Sequence, residues 1–367
     1  MIKKIFIITF LVQNTCAQAP RGLPNCGNSC YMNSVLQSLY NVTPLRKFLK
    51  SYQKDYLTGS PTVALINIFD LIESAAPGKA IASEVTQSVY EDIIDPLVIK
   101  KLALHPDDPI NIHKQQDAAE LLTAFYERFF GEADNNTKDI KYSEPNKIRT
   151  RIQHDLKELL YFIQKEKLIC RHQDSTESMR KSKDTTSMLQ LSIPEMASTL
   201  EECLNHFIKP EQLDTNFDWC QAPGSKSYKQ YLLGRVPTVA TIQLKLFYFD
   251  IATHNSLKIL QAITIPEKLE IEKKTYALTS IIVHVGALPV NGHYLAYIKP
   301  ERDIWYRCDD ESIIAQDPPF LTHNWHLKAD DTGRPYILFY EQLLQEQEES
   351  MFFQQFSTEL TMLSSIY

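Results

Sequence analysis

The sequence predicts an α+β fold, helices first and strands later, and two observations carry that reading. Up to about residue 130 apolar residues recur at helical spacing. From about residue 188 they give way to short runs rich in β-branched and aromatic residues, each bounded by turn formers. At 367 residues, 44% hydrophobic and 23% charged, the chain suits one large domain or two lobes sharing a cleft.

The first nineteen residues, "MIKKIFIITFLVQNTCAQA", join a basic start (Lys3, Lys4) to an apolar run from Ile5 to Val12 and then Ala17-Gln18-Ala19. That is the anatomy of a secretory signal peptide, and the run is too short to span a membrane. Pro20 directly after the expected cut is a poor context for cleavage, and the alternative is a strand or a buried apolar arm. Met32, Val35, Leu36 and Leu39 predict a helix from about Cys30 to Tyr40, and Val63, Ile66, Leu71 and Ile72 a second over 61–75. A third is expected in "QQDAAELLTAFYERFF", where Asp117 followed by Glu120 is a capping-box-like start and Leu121, Leu122, Phe125 and Phe129 share a face. The polar stretches 133–147 and 171–187 read as surface loops. "MLQLSI", "TVATIQLKLFYF", "YALTSIIVHV", "YLAYIK", "DIWYRC" and "YILFY" read as strands. In the tail, 341–367, Phe352, Phe353, Phe356, Leu360 and Leu363 predict an amphipathic helix without Lys or Arg. It either packs on the main domain or serves as a free acidic segment for a partner.

A net charge of −7 supplies no basic footprint, so a nucleic-acid partner is not expected. The seven cysteines, at 16, 26, 30, 170, 203, 220 and 308, are odd in number and unpaired in spacing. No disulfide framework is expected, and the absence of any C-x-x-C leaves a structural zinc site without a ligand set. A reducing compartment is the expected working environment.

"GLPNCGNSCYMNSVLQSLYN", residues 22–41, offers two candidate nucleophiles. Cys30 follows Asn28-Ser29 at a helix start, where unpaired N–H groups and the dipole favour a thiolate; Cys26 lies in a Pro- and Gly-rich loop. The alternative for Cys30 is a small buried residue. A thiolate nucleophile needs a base and an orienter for that base. "YALTSIIVHVGALPVNGHYLAYIKPERDIWYRCDDESII" supplies candidates: His293 at the rim of a loop between two strands, and a carboxylate of Asp309-Asp310, from sixteen residues on, at the end of a returning strand. His284 lies inside an apolar alternation and reads as a packed histidine.

These stretches resemble the cysteine and histidine boxes of the ubiquitin-specific proteases. "KQQDAAELL", "LQLSI…TLEECLNHFIKPEQLD", "VATIQLKLFYFD" and "RPYILFY" are similar to further segments of that family, so the resemblance runs from about residue 21 to 340. It implies a papain-like cysteine protease fold: a helical thumb bearing Cys30, a β palm bearing His293 and Asp309, and β fingers holding ubiquitin. By the same resemblance Cys30 is the nucleophile, His293 the general base and then acid, and Asp309 the orienter. Asn25 is the oxyanion-hole donor, and Asp310 a secondary carboxylate. The implied reaction is hydrolysis after the C-terminal glycine of ubiquitin, with ubiquitin and ubiquitinated proteins as partners, no cofactor and a monomeric enzyme. A protease for another ubiquitin-like modifier and an inert ubiquitin-binding scaffold are the alternatives.

The chain departs from the family pattern in four places. Many members bind zinc with two C-x-x-C pairs in the fingers; here Cys170 and Cys220 remain, with Gln173 and Pro223 where partners would fall. No zinc is expected, and the fingers should rely on packing alone. "NSC" stands for the more usual Asn-Thr-Cys, and "LKLF" for Leu-Lys-Arg-Phe. The leader-like N-terminus implies export from a bacterium living inside eukaryotic cells and action in the host cytosol; the alternative is a eukaryotic cytosolic or nuclear enzyme.

Overall fold

The computed structural model describes residues 20–56, 60–74, 80–83, 86–88, 90, 116–135, 145–252, 254–288, 291–300, 304–322 and 332–343. The leader-like segment and the apolar stripe of the tail lie outside these residues. The predicted division holds: helices come first and sheets follow. Among the described residues the helices are α1 (Cys30–Asn41), α2 (Thr43–Ser51), α3 (Pro61–Ser74), α4 (Ala118–Asn135), α5 (Pro145–Leu160) and α6 (Leu200–Ile208).

Helix α1 is the centre of the molecule. Tyr31, Met32, Val35, Leu36 and Leu39 are buried, and so are Asn33, Ser34, Gln37, Ser38 and Asn41. A helix buried on every side must bond its polar side chains internally. Asn41 Nδ2 accordingly donates to the Thr279 carbonyl at 2.8 Å, and the Ser34 hydroxyl to the Tyr31 carbonyl at 2.8 Å. Helix α4 packs beside α1 and buries Leu121, Leu122, Phe125 and Phe129, the predicted face. Burying each of these side chains stabilises the fold by about 1.5–3 kcal/mol.

The large sheet runs β13-β12-β11-β10-β14-β6-β3, with β9 paired to β10. Its strands are β3 (Leu189–Leu191), β6 (Val239–Leu244), β9 (Lys268–Ile271), β10 (Lys274–Leu288), β11 (Asn291–Ile298), β12 (Tyr306–Asp309), β13 (Ser312–Ala315) and β14 (Arg334–Gln342). Pairing is antiparallel except between β3 and β6. Helix α1 lies against β10 and β11, which brings its N-terminus to the end of the sheet where β11 begins. A second sheet runs β2-β1-β5-β4, from β1 (Phe162–Arg171), β2 (Glu177–Thr186), β4 (Glu211–Gln212) and β5 (Lys226–Arg235). A separate hairpin joins β7 (Phe247–Asp250) to β8 (Asn255–Lys258).

Four expectations need correction. Residues 133–147 were expected to form one loop, but α4 runs to Asn135 and α5 starts at Pro145. The expected loop 171–187 holds β2, whose residues are exposed along almost its whole length; a strand wet on both faces shows no alternation. "TVATIQLKLFYF" is two strands in two sheets, broken at Lys245 and Leu246. The fourth correction concerns the cysteines. Cys170 and Cys220 form a disulfide with Cα atoms 5.6 Å apart, so the small sheet does not rely on packing alone. Asn216 and Ser227 fold the Cys220 turn back onto β5: Phe217 N–H donates to Ser227 Oγ and Ser227 N–H to Asn216 Oδ1, each at 3.0 Å. Among the other described cysteines, Cys30, Cys203 and Cys308 carry thiols outside any disulfide.

Candidate active site

The site lies where the N-terminus of α1 meets the β11–β12 end of the large sheet. Cys30 is the first residue of α1 and is buried at 4% exposure. Ser29, at the N-cap, makes no side-chain cap to the helix; its Oγ accepts from Cys26 N–H at 2.9 Å instead. The first-turn N–H groups at Cys30 are therefore left without a side-chain acceptor, as a site for developing negative charge requires. The loop before α1 turns through Gly27 (φ 93°) and Asn28 (φ 55°). The Asn25 side-chain oxygen holds it, accepting from Gly27 N–H and Ser29 N–H at 3.1 Å each. Cys26 sits half-buried in that loop, its thiol toward the Pro24 carbonyl.

His293 is the third residue of β11, and its Nε2 donates to Asp309 Oδ1 at 2.5 Å. That leaves Nδ1 for the Cys30 sulfur, with which the ring is in hydrogen-bonding reach. The Asp309 contact and then the Cys30 contact push the His293 pKa up to about 10, so the resting imidazole is protonated. The bond to His293, joined by Arg307, holds the Asp309 carboxyl below the usual range. Arg307 Nη2 donates to Asp309 Oδ2 at 2.5 Å, fixing the carboxylate by its second oxygen. Its role went unread in the sequence, although two residues apart on one strand is the signal for a shared face.

Asp310 (φ 51°) turns its carboxylate the other way, into the loop before α1. Oδ2 accepts from Asn25 Nδ2 at 2.8 Å and Oδ1 from Asn33 Nδ2 at 2.7 Å. The Asn25 amide is thus pinned at both ends, with its second N–H proton left over. Asn33 was not foreseen; its oxygen accepts from the Tyr90 hydroxyl. The chain must come close here: a Cβ on Gly22 would lie 2.3 Å from the Glu311 carbonyl oxygen. Among the described residues, the grouping with metal-ligand character is His293, Asp309 and Asp310, the site itself, and Arg307, Asn25 and Asn33 already take up its carboxylates.

Asp117 does more than the capping the sequence suggests. Its Oδ1 accepts from Ala119 and Glu120 N–H at 2.8 and 3.1 Å, while Oδ2 accepts from the Tyr336 and Tyr294 hydroxyls at 2.8 and 3.2 Å. The residue after His293 is thereby tied to the start of α4. His284 is packed, as expected: fully buried, with its pKa pushed down to about 3 by desolvation and then by Lys258 and His293.

The family model described as ubiquitin carboxyl-terminal hydrolase matches residues 21–340. The chain belongs to the ubiquitin carboxyl-terminal hydrolase family. It is 28% identical over 309 residues to ubiquitin carboxyl-terminal hydrolase 26 of Oryza sativa subsp. japonica, covering 81% of this chain and 26% of that protein. Against probable ubiquitin carboxyl-terminal hydrolase 16 of Schizosaccharomyces pombe the identity is 25% over 312 residues, covering 82% and 64%. The chain thus spans less than two thirds of the length of these relatives. Among solved structures it resembles the yeast SAGA DUBm with a mutant Sgf73, at TM-score 0.67 and 20% identity, covering 88% of this chain and 68% of that one. It also resembles the SAGA Ubp8/Sgf11/Sus1/Sgf73 DUB module bound to ubiquitin aldehyde, at TM-score 0.65 and 22% identity, covering 88% and 70%. These hydrolase folds share the α+β, papain-like architecture predicted for the chain. No helix among the described residues is long and apolar enough to cross a membrane.

Proposed function

We propose that the protein is a thiol-dependent deubiquitinase that hydrolyses the isopeptide bond after the C-terminal glycine of ubiquitin, with residues 20–340 as its catalytic domain. The observation that carries this reading is the convergence of His293, held by Asp309, on Cys30 at the start of α1. Membership of the ubiquitin carboxyl-terminal hydrolase family supports it, and one solved neighbour is bound to ubiquitin aldehyde.

The chemistry follows from the contacts. The Cys30 sulfur attacks the glycine carbonyl carbon and forms a C–S bond, its proton held by the His293 imidazole. Charge moves to the carbonyl oxygen, where the free Asn25 N–H and the N–H groups at Cys30 receive it. As the tetrahedral intermediate collapses, His293 passes its proton to the departing lysine amine and the C–N bond breaks. Water, deprotonated by His293, then attacks the thioester; the acid is released and the Cys30–His293 pair is restored. Asp309 holds the imidazole through both steps, and Arg307 holds Asp309. One chain supplies every group used, which supports a monomeric enzyme; a scattering mass of one chain rather than two checks it.

The test is ubiquitin carrying a thiol-reactive group at its C-terminus, incubated with the parent and with Cys30→Ala. A covalent adduct in the parent alone is the expected result. No adduct in a folded parent overturns the reading, and an adduct only with another modifier carrying the same group moves the substrate to that modifier.

A further inference from the structure

Lys258 ties the hairpin of β7 and β8 to the sheet that carries His293 by hydrogen bonds. Lys258, the last residue of β8, places its ammonium among four acceptors: His284 Nδ1 at 2.8 Å, the His284 carbonyl at 2.8 Å, the Gly286 carbonyl at 2.9 Å and the Thr332 carbonyl at 2.8 Å. An ammonium donates three protons and accepts none, so it shares them over these acceptors and His284 Nδ1 must accept. The ring proton of His284 is then on Nε2, which fixes the tautomer.

The far side of that ring lies beneath the residue before His293. A Cβ on Gly292 would stand 2.6 Å from His284 Nε2 and 2.4 Å from the Val285 carbonyl oxygen. Val285 and His293 are cross-strand partners, as are His284 and Tyr294. The rings of Phe247, Tyr294 and Tyr336 meet the His284 ring edge-on, at 5.2, 4.9 and 6.5 Å between centroids. They set its walls, but they offer no polar contact to choose its rotation. Lys258 makes that choice. It also gathers the carbonyls at the end of β10, where Gly286 (φ 118°) starts the turn toward His293. Three chain segments, 284–286, 332 and the β8 end, meet on this ammonium.

We propose that Lys258 is a positioning residue for the hydrolysis: by gripping His284 and the Gly286 carbonyl it sets the turn from which β11 begins, and so the distance at which the His293 imidazole meets Cys30. The inference rests on the reading of His293 as the partner of Cys30. Lys258 touches neither sulfur nor substrate and acts through the backbone beneath His293.

Lys258→Met keeps the length of the chain and its apolar stem and removes every donor. Steady-state hydrolysis of ubiquitin with a C-terminal fluorogenic amide separates kcat from KM. In parallel, peptide mass spectrometry follows alkylation of Cys30 by iodoacetamide at pH 6, which depends on the imidazolium beside the thiolate. Misplacing a reacting group by about 1 Å costs on the order of 100-fold. The expected result is a kcat lowered roughly 10- to 100-fold, KM within about threefold, and Cys30 alkylation slowed to a similar degree. Lys258→Arg, which keeps the charge, should recover part of both. A folded Lys258→Met with parental kcat and alkylation overturns the inference, as does a loss that falls on KM alone. Should Lys258→Met fail to fold, Lys258→Gln, shorter and uncharged, carries the same comparison, and parental kcat and alkylation in it overturn the inference equally. A parent without hydrolysis would instead strike the proposed function, and the alkylation rates alone would then decide the role of Lys258.

Discussion

Replacing Asn25 and Asp310 singly and together tests the oxyanion side of the site. In the proposed mechanism Asn25→Ala removes a donor to the developing charge, and one such donor is worth about 2.7–4 kcal/mol, roughly 100- to 1000-fold in rate. Asp310 makes no contact with the sulfur; its carboxylate holds the Asn25 and Asn33 amides at 2.8 and 2.7 Å. Asparagine is the replacement of choice there, because at φ 51° it is among the residues that tolerate the left-handed region. Asp310→Asn leaves one oxygen for two amide donors. Asn33 keeps the Leu23 and Pro24 carbonyls at 3.2 Å, so Asn25 suffers more. A hydrogen bond to a charged group contributes about 1.5–3 kcal/mol, and the lower end is expected at this exposed side chain, roughly tenfold in kcat/KM. With Asn25 already alanine, Asp310→Asn has nothing left to orient and should cost less than about threefold, a coupling on the order of 1 kcal/mol. The assay is kcat/KM for ubiquitin with a C-terminal fluorogenic amide in the four proteins of the cycle, with melting temperatures alongside. Strictly additive losses would refute the argument, because Asp310 would then act without Asn25.

The His293 pKa, raised to about 10 above an ordinary 6.5, has a worked sign. Its stabilising share is complete below 6.5 and lost as pH rises through about 10, and the imidazolium beside Cys30 follows the same course. Asp309→Asn removes the first cause of the rise, so the alkaline limb of kcat/KM, which needs the imidazolium as proton donor, should move down toward 6.5; an unmoved limb would deny Asp309 its role. For the disulfide, a sequence separation of 50 corresponds to about 4 kcal/mol of loop-closure entropy, an upper figure. Cys220→Ser should therefore lower the melting temperature by up to roughly 6 °C for a chain of this size, with kcat on a small thiol-reactive substrate unchanged; equal melting temperatures would mean that the link contributes nothing to stability. Gly292→Ala drives a Cβ to 2.4 Å from the Val285 carbonyl oxygen and 2.6 Å from His284, and backbone must yield. A loss of kcat on the order of tenfold or more, with KM little changed, is expected; parental kcat would show that the β10–β11 turn absorbs the shift.

What the sequence made legible was the placement of residue types that need a fixed local position. Cys30 can be placed from its own surroundings, because a helix start is written in Asn28-Ser29 and the apolar spacing behind it. His293 and Asp309 can be placed because a hairpin of that length must return beside its own start, and β11 and β12 do so through Ala296 and Cys308. His284 and His293 were separable for a simple reason: one lies within an apolar alternation and the other at its rim. Arg307 and Asn33 were within reach of the same reasoning, one by the period of a strand and the other by the turn of a helix. Lys258 was not. Beside His284 Nδ1 its acceptors include backbone carbonyls at 284, 286 and 332, and a carbonyl leaves no mark in a sequence.

The small sheet was illegible for the opposite reason. Strand reading depends on one wet face and one dry face, and β2 is exposed from Glu177 to Thr185. Its ladder partner β1 supplies the order: Lys165 and Lys167 lie directly opposite Lys183 and Lys181. Like charges in register weaken a pair, so the hairpin needs support from elsewhere. The disulfide at its far end gives that support: Cys170 is the last residue but one of β1, and Cys220 reaches it from the turn before β5. Two cysteines left over from a metal pattern read as remnants in one dimension. In three dimensions they are the crosslink that a poorly buried, like-charged hairpin lacks.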